Sequence, residues 1–165
     1  MVDRTVSRRR RSALGLIAAL GLLICAAAVI PAAAGGAMVT RGEFSAFAEG
    51  AKAPAMDISG HATMIRTADG RTTVSVHVEG LAPNTTYAVH VHKQACENGE
   101  ADGHYQHNGT AANDENEIWP GFTTNAAGIG NGYARNDWSA GSGAVAVVVH
   151  RPTALPNKIA CANLR

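Results

Sequence analysis

The most regular patterning in the chain lies between residues 61 and 92, where apolar and polar side chains alternate nearly one for one. A period of two is that of a strand with one buried face. "HATMIRT", the turn "ADGR" and "TTVSVHVE" predict a hairpin in which Val74, Val76 and Val78 share one face and Thr73, Ser75 and His77 the other. "GLAPNTT" breaks the run, and "YAVHVH" predicts the next strand. A polar, irregular stretch follows from Lys93 to about Asn116. Beyond it, "GFTT", the turn "NAAG" and "IGNGYAR" predict a second hairpin, "GAVAVVVH" the last long strand, and "KIACANL" the closing segment. No segment carries a helical period and no internal repeat is present. Short strands separated by Gly, Asn and Asp turns predict an all-β fold, a sandwich or a barrel.

The first residues are patterned differently. A basic "MVDRTVSRRRR" precedes the apolar "SALGLIAALGLLICAAAVIPAAAGGA", which predicts a secretory signal over residues 1–34 with cleavage near Ala34 or Ala37. The stretch Ala13 to Ile30 is also long enough for an uncleaved membrane anchor. Either reading exports the domain, secreted or in the cell envelope. Residues 35–54 are Gly- and Ala-rich with no clean period and read as a linker, although "EFSAF" within them fits an edge strand. The functional domain is placed at 55–165.

Removing residues 1–34 changes the charge balance. Five arginines and Asp3 go with them, leaving nine basic against twelve acidic side chains. A mildly acidic domain lacks the basic footprint of a nucleic-acid or anionic-membrane binder, so membrane contact is expected only through an uncleaved N-terminal segment. Cys96 and Cys161 are the cysteines left in the exported part, and in an oxidising compartment the pair reads as a disulfide, against the alternative of two separate buried thiols.

Histidines carry the candidate chemistry. Alternation along "YAVHVH" puts His90 and His92 on one face with Ala88, opposite Tyr87, Val89 and Val91. The same count along "AVAVVVH" puts His150 with Ala144, Ala146 and Val148, away from the bulkier valines. His104 and His107 lie in the loop that leaves the first of these strands. Imidazole clusters without thiolates favour copper or zinc. Two solvated strand histidines are the plainer alternative. His61 and His77 fall at exposed strand positions, and Trp119 and Trp138 sit in turn-like stretches where an aromatic plugs a loop.

The order "GLAPNTTYAVHVH", Cys96, "GHY", "NAAGIG", "AVVVH", "KIAC" resembles the copper/zinc superoxide dismutase family from about Ser59 to the end. The resemblance implies a Greek-key β-barrel with copper held by four histidines on its outer surface, here His90, His92, His104 and His150. It implies a disulfide between Cys96 and Cys161, superoxide as substrate, and an anion-attracting role for Lys158, where the family usually has arginine. It gives His104 and Lys158 the catalytic roles. Two features depart from the family. "NGTAANDENEIWPGF" supplies none of the family's further zinc histidines, and Ile118 stands where the zinc aspartate is expected, so zinc is not expected. Only "RPTALPN" separates His150 from Lys158, where the family has a long steering loop, so an open, shallow channel is expected. The chain thus resembles the copper-only members. These departures leave a second reading open, a non-enzymatic copper-binding or copper-delivery protein of the cell envelope.

Overall fold

The computed structural model describes residues 36–48, 57–152 and 154–165, so the predicted signal or anchor lies outside the described residues, as does most of the second half of the expected linker. The described residues form ten strands: β1 Met38–Glu43, β2 Ser45–Ala46, β3 Ser59–Arg66, β4 Thr72–Glu79, β5 Thr86–Tyr87, β6 Val89–His92, β7 Phe122–Thr123, β8 Gly130–Asn136, β9 Ala146–Arg151 and β10 Ala154–Asn163. They make two four-stranded antiparallel sheets, in the orders β1-β3-β4-β8 and β2-β10-β9-β6, with β5 paired to β7 between them in sequence. β1 and β2 are one extended run that changes sheet at the buried Phe44. Reciprocal backbone hydrogen bonds between Arg41 and Arg165 tie that run to the end of the chain. The result is the expected all-β Greek-key barrel, in which the chain alternates between sheets rather than adding strands in sequence order.

The alternation that predicted the β3–β4 hairpin also builds the core. Thr72, Val74, Val76 and Val78 are buried on β4 while the residues between them reach the surface. They pack with Ala62, Met64, Val89, Val91, Val147, Val149 and Ile159 into one continuous apolar interior. A smaller cluster of Ala101, Ala146, Val148 and Cys161 lies on the other face of β9 and β10. Two expectations need correction. Residues 38–43 are not linker but strand β1, paired with β3 along its whole length. Their faces are mostly exposed, so no apolar period marks them. The second hairpin is also not a paired one: the Asn125–Gly128 turn forms, but β7 pairs with β5 and β8 with β4. Gly128 is required there, because it adopts φ +75° and a Cβ would lie 2.1 Å from the Leu81 carbonyl oxygen.

Candidate metal centre

β6 and β9 pair antiparallel, with His90 opposite Val148 and His92 opposite Ala146. Val89 and Val91 enter the core, so His90 and His92 project to the other face. His150 has the parity of Ala146 and Val148 along β9 and joins them. The fourth ring comes from the loop. The Tyr105 amide donates to the Val91 carbonyl and the Lys93 amide to the Gly103 carbonyl, forming a bridge that sets His104 against His92. Tyr105 turns into the core and His104 away from it. Gly103, at φ +73°, lets the loop pass Lys93, whose Cε would lie 2.4 Å from a Cβ.

The four imidazoles converge: one ligand atom from each lies within 4.8 Å of all the others. Ring centroids are 4.1 Å apart for His90 and His104 and 5.6 Å for His104 and His150. His92 donates from Nδ1 to the Ala101 carbonyl, leaving its Nε2 lone pair 3.2 Å from His150 Nε2. His104 donates from Nδ1 to Glu117 Oε2 at 2.8 Å, which leaves its Nε2 free for the cluster. His90 Nδ1 is buried without a hydrogen-bond partner. An unsatisfied buried nitrogen costs about 1–3 kcal/mol, and one beside the available Nε2 atoms of His92 and His104 is what a metal ion would satisfy. The residues therefore fit copper, whose two common oxidation states both accept imidazole nitrogen.

Burial is greater than an exterior site suggests. His90, His92 and His150 are 7%, 1% and 2% exposed, with Trp119 packed on His90 and the Ala101 carbonyl on His92, whereas the His104 side chain is 32% exposed. Of the four rings, His104 is the one that reaches solvent. Burial holds the His90 imidazole down from 6.5 to about 3, with the charged forms of His104 and His150 adding to the effect. Burial likewise lowers His92 to about 3; the Ala101 carbonyl opposes this, and His104, His150 and Lys158 reinforce it. Both rings are neutral at physiological pH, as metal ligation requires. Lys158, half-buried, stands opposite His150 in the β9–β10 register.

Glu117 was not singled out by sequence reasoning as a partner of the centre. Its carboxylate is 1% exposed and accepts from His104 Nδ1, from Trp119 Nε1 at 2.8 Å and from Gln106 Nε2 at 3.1 Å. Ile118 is in the core, and its neighbours Glu117 and Trp119 reach His104 and His90 instead. Trp119 also packs against His90, with ring centroids 5.4 Å apart. His107 does not join the centre; it stacks on Trp138 at 4.3 Å.

The loop is fixed at its other end by the Cys96–Cys161 disulfide, whose Cα atoms are 5.8 Å apart. The Cys96 amide also donates to the Asn163 side chain on β10. The Ala101 carbonyl that orients His92 is therefore anchored covalently to the strand beside the site.

No family model and no curated protein matches the sequence. Solved structures with a similar fold include a double mutant of a superoxide dismutase-like protein from Bacillus subtilis, 14% identical with a TM-score of 0.50 over 74% of this chain and 95% of that one. They also include superoxide dismutase 5 of Candida albicans in a Cu(II) form, 18% identical with a TM-score of 0.50 over 76% of this chain and 90% of that one. A point mutant of the Candida protein matches at the same identity and TM-score, over 78% and 91%. His90, His92, His104 and His150 gather on a barrel of this topology, and the chain has the fold of the copper/zinc superoxide dismutase family.

Proposed function

We propose that the protein is an exported, copper-dependent superoxide dismutase of the zinc-lacking kind. The observation that carries this reading is the buried, unpartnered His90 Nδ1 facing three other imidazoles within one ion's reach. His90 Nδ1, His92 Nε2, His104 Nε2 and His150 Nε2 would hold the ion. Copper bound there would supply one-electron exchange in both directions, so that two superoxide ions and two protons leave as dioxygen and hydrogen peroxide.

The chain's own groups do the rest. Ala101 and Glu117 fix the tautomers of His92 and His104, so that both present Nε2. His104 is the exposed ring of the four and is placed to hold a proton at Nε2 for the departing product while Glu117 keeps its Nδ1 proton. The same hydrogen bond occupies the nitrogen through which His104 would bridge to a second metal, which favours copper without zinc. Lys158 draws the anionic substrate toward the centre, although an ammonium lacks the two-pronged geometry of a guanidinium. The disulfide suits an oxidising compartment and so supports export, with residues 1–34 as signal or anchor.

The test is superoxide removal by the copper-loaded full chain, followed by stopped-flow absorbance. Catalytic removal that disappears in His150→Ala is the expected result. Copper handed stoichiometrically to a chelator, with no turnover, would overturn the enzyme in favour of a copper-delivery protein.

A further inference from the structure

The outer face of the β1-β3-β4-β8 sheet carries a second pair of imidazoles that the four-histidine centre does not use. His61 on β3 and His77 on β4 are register partners. Both project outward, since Ala62, Val76 and Val78 are buried between them. Their ring centroids are 5.5 Å apart, within the range seen among the four converging histidines. Two imidazoles sharing one tetrahedral zinc at Zn–N distances of about 2.0–2.1 Å place their centroids about 5–5.5 Å apart.

The surroundings of His77 point to a cation. Its Nδ1 lies 2.8 Å from Asn131 Oδ1 and its Nε2 2.9 Å from Glu79 Oε1, so both ring nitrogens face oxygen acceptors. A neutral imidazole has one N–H to give. Donation to Asn131 leaves the Nε2 lone pair against a carboxylate oxygen, an arrangement that a proton or a metal ion must satisfy. Asn131, the register partner of His77 on β8, fixes the ring as the outer hydrogen bond of a metal-binding histidine does. His61 is exposed, with its ring against that of His77, and a turn of this ring would bring a nitrogen to the same point. Glu43 stands opposite His61 on β1 and extends the polar row across the sheet.

We propose that His61, His77 and Glu79 form a second, solvent-exposed site for a divalent cation of the zinc class. Two imidazole nitrogens and one carboxylate oxygen are a donor set for Zn(II), or for Ni(II) and Cu(II) where these are present; Mg(II) and Ca(II) prefer oxygen throughout. Water completes the coordination. The site is independent of the copper reading, because it lies on the other sheet and shares no residue with the four-histidine centre.

Calorimetric titration of Zn(II) into the copper-loaded full chain at pH 7.5 tests it. The expected result is one equivalent of zinc beyond the copper, with affinity falling about tenfold or more in His61→Ala and in Glu79→Gln. Zinc should also shift the ring resonances of His61 and His77 together in a protein whose four-histidine centre is disabled by His90→Gln and His150→Gln. No zinc beyond the copper, or binding unchanged by His61→Ala, would overturn the site. Zinc binding that vanishes with the His90→Gln, His150→Gln pair would do the same, by assigning the ion to the other centre.

Discussion

Acidification is the perturbation that reads most directly on the buried imidazoles. In the unfolded chain His90 and His92 take a proton near 6.5; in the folded, metal-free chain burial holds them to about 3. Between these values the unfolded state binds more protons, so stability is fully present above pH 6.5 and is lost as pH falls toward 3. pH 5 lies about 1.5 below the value at which each ring takes a proton in the unfolded chain, so keeping a ring neutral there costs about 2 kcal/mol, or about 4 kcal/mol for the pair. That is a large share of the roughly 5–15 kcal/mol typical of a folded domain. His77, raised above its ordinary value by Asn131 and Glu79, acts with opposite sign and favours the folded state as pH falls. The assay is urea unfolding of the metal-free protein at pH 7.5, 6 and 5, for the native chain and for His92→Gln. The midpoint should fall steeply with pH in the native chain, and His92→Gln should remove about half of that slope. A native midpoint that stays level from pH 7.5 to 5 would refute the claim that these rings are buried neutral.

Three further outcomes are expected. Glu117→Gln keeps the shape but replaces one of the two acceptor oxygens with an NH2 that faces a donor, and removes the charge, so copper affinity should fall about 10- to 100-fold and the nitrogen hyperfine pattern of bound Cu(II) should change; equal affinity would remove Glu117 from the centre. Reduction of the Cys96–Cys161 bond, which spans 65 residues, should lower stability by about 4 kcal/mol on the chain-entropy model, measured as the shift in denaturation midpoint with dithiothreitol. Gly103→Ala should destabilise the domain by about 1–2 kcal/mol and loosen copper more than Gly109→Ala does, since Gly109 has open space around it while Gly103 faces Lys93.

How much of this was legible before folding depends on whether a residue's role was periodic. The β3–β4 hairpin and the outward parity of His90, His92 and His150 follow from a strict alternation, and the structure has them so. β1 escaped because its side chains are mostly exposed, which erases the apolar signal. The β7 and β8 partners escaped because a tight turn usually joins paired strands, and here the two sides leave for different neighbours. The chain order put both His104 and His107 in the loop beside the histidine strand, and family resemblance alone chose His104 between them, since a loop has no period to place its side chains. Glu117 shares its loop with the acidic Asp114 and Glu115, and nothing in that spacing marks it apart; only the burial of Ile118 beside it reveals which way it points.

The interleaving of imidazole and valine on β6 and β9 also polices how the two strands join. A slip of one residue would drive His90 and His92 into the barrel interior, among Val74, Val78 and Ile159, with no acceptor there for either ring. Misaligned pairings are thereby penalised before any metal arrives, so the residues that make the centre also help to choose the one alignment in which it exists.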